Sequence, residues 1–162
     1  MTMKNLCKAA LALGIALLAT TGVNAQTHGT ASTDLWSTDF QKAFMTEQMM
    51  HMMDMSHKGV VTREDYDKYM GTVFDKMDHK HRGMLDKNDF LGNAGTTNIW
   101  TTDFQKTFQT EAMMHTMDNG KGMVSKADFM HHMDEIFDML DKDHDGKLEA
   151  NEFIYSKVFG AH

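Results

Sequence analysis

The chain contains one unit twice, and that repeat constrains its fold more than any other feature. Asp34-Leu-Trp-Ser-Thr-Asp-Phe-Gln-Lys-Ala-Phe44 recurs as Asn98-Ile-Trp-Thr-Thr-Asp-Phe-Gln-Lys-Thr-Phe108, and Met49-Met-His51 recurs as Met113-Met-His115. The register then slips by one residue, so that Phe74 to Phe90 aligns with Phe137 to Phe153. The missing residue falls between Asp118 and Gly122, in a loop shorter than its counterpart from Asp54 to Gly59. Copies of this kind usually complete one another's core, so their boundaries organise the whole chain. They span residues 34–97 and 98–162, with 92–97 (Gly-Asn-Ala-Gly-Thr-Thr) as the linker. Residues 26–33 are small and polar without apolar periodicity and are expected to form a disordered lead. Phe40 and Phe44, like Phe104 and Phe108, stand at helical spacing behind Thr38 and Thr102, which the pattern predicts as N-caps. Proline is absent from the chain, leaving little to break a helix, and the expected fold class is all-α.

The first 25 residues read as a cleavable signal. Lys4 and Lys8 supply a positive start, Ala9 to Ala19 an apolar run, and Val23-Asn-Ala25 a small-residue cleavage site. That run is well short of the roughly 20 apolar residues of a spanning helix. The expected mature chain starts at Gln26 and is periplasmic or secreted. Cys7, the only cysteine, lies inside the signal, so stability after export rests on helix packing, on bound metal, or on both. Formal charge is −7, from 23 acids and 16 bases. Loss of Lys4 and Lys8 makes it more negative still, which argues against nucleic acid or an anionic membrane as partner and is compatible with cation binding.

Asp141-Lys-Asp-His-Asp-Gly-Lys-Leu-Glu-Ala-Asn-Glu152 carries the chemistry. Carboxylates at alternate residues, Asp141, Asp143 and Asp145, can surround one point, and Gly146 permits the sharp turn that follows. Only a hard cation calls for that many oxygens. Met133, Ile136, Phe137 and Leu140 form one apolar stripe before the loop, as an entering helix would, and Phe153 begins an exiting one.

At these residues the chain resembles the EF-hand family, and specifically exported bacterial EF-hand proteins with closely spaced loops. The resemblance implies a helix–loop–helix fold and Ca²⁺ as the bound ion. It further implies ligands from Asp141, Asp143, Asp145, the carbonyl of Lys147 and both oxygens of Glu152, with Glu149 holding a bridging water and Leu148 packing inward. Three other loops resemble decayed members. Residues 78–89 carry Lys80 and Arg82 where carboxylates belong, which should abolish ordinary Ca²⁺ binding. Residues 54–65 place Ser56 and Lys58 at ligand positions, and residues 118–128 are one residue short with Gly120 and Gly122 in place of ligands. The expected architecture is therefore two tandem copies of a paired EF-hand unit, with one intact and three degenerate loops. Loop starts lie only 24 residues apart in the first copy (54 to 78) and 23 in the second (118 to 141), so the helix leaving one loop is nearly the helix entering the next. That spacing leaves open whether Val124 and Leu148 pair as short strands.

Eighteen methionines and clusters such as Met49 to Met55, Met113 to Met117 and Met130 to Met133 allow a second reading, a Met/His-rich periplasmic protein for copper or another transition metal. Most of these methionines fall at the places of Ile136, Phe137 and Leu140 in the entering helices, which makes them core. His51, Met52 and Met55 lie off that stripe and are the better copper candidates; His79 and His81 flank Lys80. A flexible Met-rich core also permits a face that opens for a protein target. The sequence offers no nucleophile elbow, phosphate loop or HExxH helix, so an enzyme is not expected. Calcium binding as sensor, buffer or Ca²⁺-stabilised adaptor is the expected function. The acids concentrate accordingly: residues 34–97 hold 11 acids and 8 bases, residues 98–162 hold 12 and 6.

Overall fold

The computed structural model describes residues 36–92, 99–118 and 120–160. The expected signal, the lead and most of the linker lie outside them. Among the described residues the chain is mostly helical, with four two-residue strands. In chain order these are α1 (Thr38–Phe44), α2 (Glu47–Met53), β1 (Val61–Thr62), α3 (Arg63–Met77), β2 (Met84–Leu85) and α4 (Lys87–Leu91). The second copy repeats them as α5 (Thr102–Phe108), α6 (Glu111–Asp118), β3 (Val124–Ser125), α7 (Lys126–Leu140), β4 (Lys147–Leu148) and α8 (Ala150–Phe153), followed by α9 (Tyr155–Val158). No described helix is long and apolar enough to cross a membrane.

Hydroxyl caps set the helix starts. Ser37 Oγ accepts from Phe40 N (3.2 Å) and Thr101 Oγ1 from Phe104 N (3.2 Å), so the caps stand one residue before the predicted Thr38 and Thr102. The reason is reach: a capping oxygen satisfies the free N–H three residues on, and Phe40 and Phe104 are those residues. Thr46, Thr62 and Ser125 cap α2, α3 and α7 in the same way.

Helices α3 and α7, of 15 residues each, span about 22 Å at 1.5 Å per residue. Each leaves one loop and enters the next, so it holds the two loops of its own copy at opposite ends. Loops within a copy cannot meet. The strands pair between copies instead: β1 lies antiparallel to β4 with Val61 opposite Leu148, and β2 lies antiparallel to β3 with Leu85 opposite Val124. The expectation of one loop pair per copy is corrected accordingly. Loop 54–65 joins loop 141–152, and loop 78–89 joins loop 118–128, because only α3 and α7 laid antiparallel bring strand edges together.

A pseudo-twofold axis relates the contacts that hold this arrangement. Arg63 N donates to Gly146 O (3.0 Å), and its counterpart Lys126 N donates to Gly83 O (3.2 Å). Tyr66 packs edge-on to Phe137 at 5.1 Å, as Phe129 does to Phe74 at 5.4 Å. Arg63 covers the Phe137 ring and pairs with Asp138; Lys126 covers Phe74 and pairs with Asp75. Tyr66 adds a buried hydrogen bond to Met133 O (2.7 Å). The aromatic core interlocks in the same sense, since Phe44 of the first copy packs at a tilt against Phe153 of the second (5.4 Å) and Phe108 of the second against Phe90 of the first (5.5 Å). Phe40, Phe44, Phe104 and Phe108 are all at most 2% exposed, so each exit helix is sealed by the other copy's opening helix, and neither copy has a complete core alone.

Candidate metal centre

Helix α7 delivers Asp141 as its C-cap, buried, with its N–H still bonded to Phe137 O (2.9 Å). The Asp141 carboxylate turns back over the loop and accepts Asp145 N at Oδ1 (3.2 Å) and Gly146 N at Oδ2 (3.0 Å). Two left-handed residues make this reversal possible, His144 at φ 58° and Gly146 at φ 80°. Histidine tolerates that region better than a β-branched residue would. Asp143 Oδ1 also accepts Asp145 N (3.2 Å). The result is that carboxylate oxygens of Asp141, Asp143 and Asp145 all lie within 4.8 Å of one another, a group of three that could hold a metal ion. An all-oxygen, all-carboxylate donor set suits a hard divalent cation and not a soft one.

The other two residues read from the sequence sit outside that group. Glu152 is buried, and its Oε1 and Oε2 accept Lys142 N (3.1 Å) and Glu149 N (3.2 Å), tying the beginning of the loop to its end. Lys147 lies in β4 opposite Thr62. Its side chain does something the sequence did not suggest: Nζ stands 2.9 Å from Asp145 Oδ2. That contact holds the Asp145 carboxyl below its ordinary range and the ammonium above its own. One cation of the loop itself thus offsets part of the repulsion among three carboxylates. The signal was present in the residue type, but pattern reading assigns position 7 to its carbonyl.

The remaining loops satisfy their carboxylates internally. In loop 78–89 Lys80 Nζ reaches Asp86 Oδ2 (2.6 Å), and Arg82 reaches both Asp86 (2.7 Å) and Asp89 (3.1 Å). Lys80 chiefly, with the Asp89 N–H and Arg82, holds the Asp86 carboxyl well below the usual carboxylate range. Asp78 keeps the arrangement of Asp141, accepting Arg82 N (3.1 Å) and Gly83 N (2.6 Å). Side-chain cations occupy this loop in place of an ion. In loop 54–65 the Ser56 hydroxyl donates to Asp65, and Asp54 accepts Lys58 N (2.9 Å) and Gly59 N (2.8 Å). In loop 118–128 Asp118 accepts Gly120 N (2.7 Å) and Gly122 N (3.2 Å), while Ser125 Oγ donates to Asp128 (2.8 Å). His57 and His81 occupy the left-handed turn position that His144 holds in the intact loop.

The methionine clusters are core. Met49, Met53 and Met117 are fully buried, and Met50, Met113, Met114 and Met133 nearly so. Of the copper candidates Met52 packs against that core, while His51 and Met55 face solvent.

A family model of the EF-hand domain pair matches residues 67–156, from within α3 to α9. The match takes in the loops at 78–89, 118–128 and 141–152. No curated protein matches the chain.

Proposed function

Because this chain belongs to the EF-hand family, as an EF-hand domain pair, we propose that it is an exported calcium-binding protein whose one working site is the loop from Asp141 to Glu152. The observation that carries this reading is the convergence of Asp141, Asp143 and Asp145 within 4.8 Å. Among the described residues no other loop brings three such side chains together. We assign the Ca²⁺ ligands to those three carboxylates, the Lys147 carbonyl and Glu152. Three clustered carboxylates offset by one lysine repel one another, and a divalent cation relieves that repulsion.

One ion per chain gives little buffering capacity, so the reading extends to a Ca²⁺-stabilised adaptor. Through β1 and β4 the loop is joined to the first copy, so an ion there fastens both copies. Stabilisation grows as RT ln(1 + [L]/Kd), and extracellular modules of this family work at Kd of about 10⁻⁴ to 10⁻³ M. The positively charged, apolar and small-residue segments of residues 1–25 support export to such a setting. The target engaged would be a protein, since the acidic balance of the chain disfavours nucleic acid and anionic membrane.

Calorimetric titration of residues 26–162 with Ca²⁺, Mg²⁺ held constant, tests the assignment beside Glu152→Gln. One site in the wild type that is abolished in the variant is the expected result. No heat of binding in the wild type overturns it.

A further inference from the structure

The pseudo-twofold axis relates two surface hollows with matching walls and different contents. One, of about 130 Å³, lies where α6 meets α4 and is lined by Lys87, Glu111, Met114, His115, Asp118 and Gly122. The other, of about 170 Å³, lies where α2 meets α8 and is lined by Glu47, Met50, His51, Asp54, Gly59 and Ile154. Glu47, Met50, His51 and Asp54 are the repeat counterparts of Glu111, Met114, His115 and Asp118. The difference is one side chain. Lys87 opens α4 and sends its ammonium across to Glu111, with Nζ 2.5 Å from Oε1. The repeat puts Ala150 in its place on α8. Glu47 therefore lacks the cation that its counterpart has, and it makes no ion pair among the described residues.

The filled hollow shows what fits the open one. A lysine laid there puts its carbon stem on Met50 and Ile154, both buried, and its ammonium at Glu47. Nearby groups leave that carboxylate available. Asp54 already accepts Lys58 N (2.9 Å) and Gly59 N (2.8 Å), and Lys42 lies over the Tyr155 ring at 5.9 Å. The Lys87–Glu111 pair is more than half exposed on both sides, at 65% and 60%, and such a pair contributes little by charge alone. Recognition of an incoming lysine must draw on its stem and its flanking residues as well. Space for them adjoins: a hollow of about 300 Å³ shares Glu47 and Ile154 and runs past Met45 and Tyr155 to Ser156. In the other copy the counterpart of Met45 is Gln109, whose side chain is spent on Gly92 O (2.9 Å).

We propose that this groove binds a protein segment through one lysine side chain, which takes on Glu47 the place that Lys87 takes on Glu111. The inference rests on the adaptor reading above only in supplying the chemistry of its target. Peptide binding and Ca²⁺ binding are measured separately, so either can fail without the other.

The test follows amide chemical shifts of residues 26–162 during titration with a short alanine-based peptide carrying one lysine, with and without Ca²⁺, beside Glu47→Gln, Ala150→Lys and Lys87→Ala. Ala150→Lys supplies the missing cation and copies a residue that the fold accepts at the equivalent place. Glu47→Gln changes an exposed side chain and reads the site without touching the core. In the wild type, shifts at Glu47, Met50, His51 and Ile154 should saturate together, at a Kd of order millimolar for one anchoring side chain. Glu47→Gln should weaken binding roughly two- to fivefold, Ala150→Lys should abolish it, and Lys87→Ala should add a second set of shifts at Glu111 and Met114. The peptide acetylated on its lysine, and butylamine, which has the ammonium without flanking residues, should each bind several-fold more weakly. An absence of shifts at these residues in the wild type, binding unchanged in Glu47→Gln or in folded Ala150→Lys, or butylamine as tight as the peptide overturns the proposal.

Discussion

Arg82 places its guanidinium 3.1 Å from Asp89 Oδ2, spanning loop 78–89 between its fifth and twelfth positions. With Lys80 it supplies positive charge where a metal ion would otherwise sit among Asp78, Asp86 and Asp89. Replacing both by carboxylates, Lys80→Asp with Arg82→Asp, should therefore create a second Ca²⁺ site. Asp89 reaches less far than a glutamate, so the new site should be weaker than the loop at 141–152 by roughly tenfold or more. Calorimetric stoichiometry rising from one to two is the expected reading, and a stoichiometry still at one in a folded variant counts against the tethered-cation account.

At the proposed calcium site Lys147 would compete with the ion for Asp145. Its ammonium is exposed, so the pairing is weak, and Lys147→Gln should tighten Ca²⁺ binding only roughly two- to fivefold. The gain should shrink as salt is raised, since screening removes the interaction that the substitution removes. An affinity that is unchanged at low ionic strength would mean that the ammonium leaves the site without cost.

Asp67 makes stability depend on pH. Its Oδ1 is buried with no hydrogen-bond partner, and burial first, then the facing Asp134, raises its pKa. A carboxyl raised in the folded state favours folding while protonated and penalises it once ionised. The penalty therefore sets in as pH rises through the unfolded value and is complete above the folded one. Asp67→Asn should raise the thermal midpoint at pH 7 by about 2–4 °C and change it little at pH 3. A gain of equal size at both values would assign the effect to packing.

The interlocked loops bear on fragments. Residues 98–162 contain the intact loop, yet Leu148 has its strand partner in Val61 and Phe153 its ring partner in Phe44. Expressed alone, this half should be largely unfolded at micromolar concentration, with helical ellipticity that rises as concentration rises. A monomeric, concentration-independent helical fragment that binds Ca²⁺ as tightly as the full chain would refute the exchange of loops between copies.

Local features were legible in the sequence to the extent that local physics sets them. The alternation of Asp141, Asp143 and Asp145 ahead of Gly146 placed three oxygens at one point, and the structure brings those three together. The helical spacing of Met49, Met50 and Met53 marked them as core, and they are buried. What pattern could not supply was the partner. The short interval between loops revealed the shared helices α3 and α7, but which strand edge meets which depends on how those helices lie against each other. Lys80 and Arg82 were readable as obstacles to an ion; that they replace it required seeing Asp86 and Asp89 within reach. Lys147 escaped notice because its place in the loop directs attention to the backbone.

The pseudo-twofold axis has a consequence for assembly. A chain holding only one copy could satisfy the same contacts by embracing an identical chain, and its folding would then be second order and sensitive to dilution. Carrying both copies in one polypeptide turns that encounter into an intramolecular one, at an effective concentration of order millimolar. The fused protein should therefore show a thermal midpoint independent of its concentration, as an obligate dimer of single copies would not.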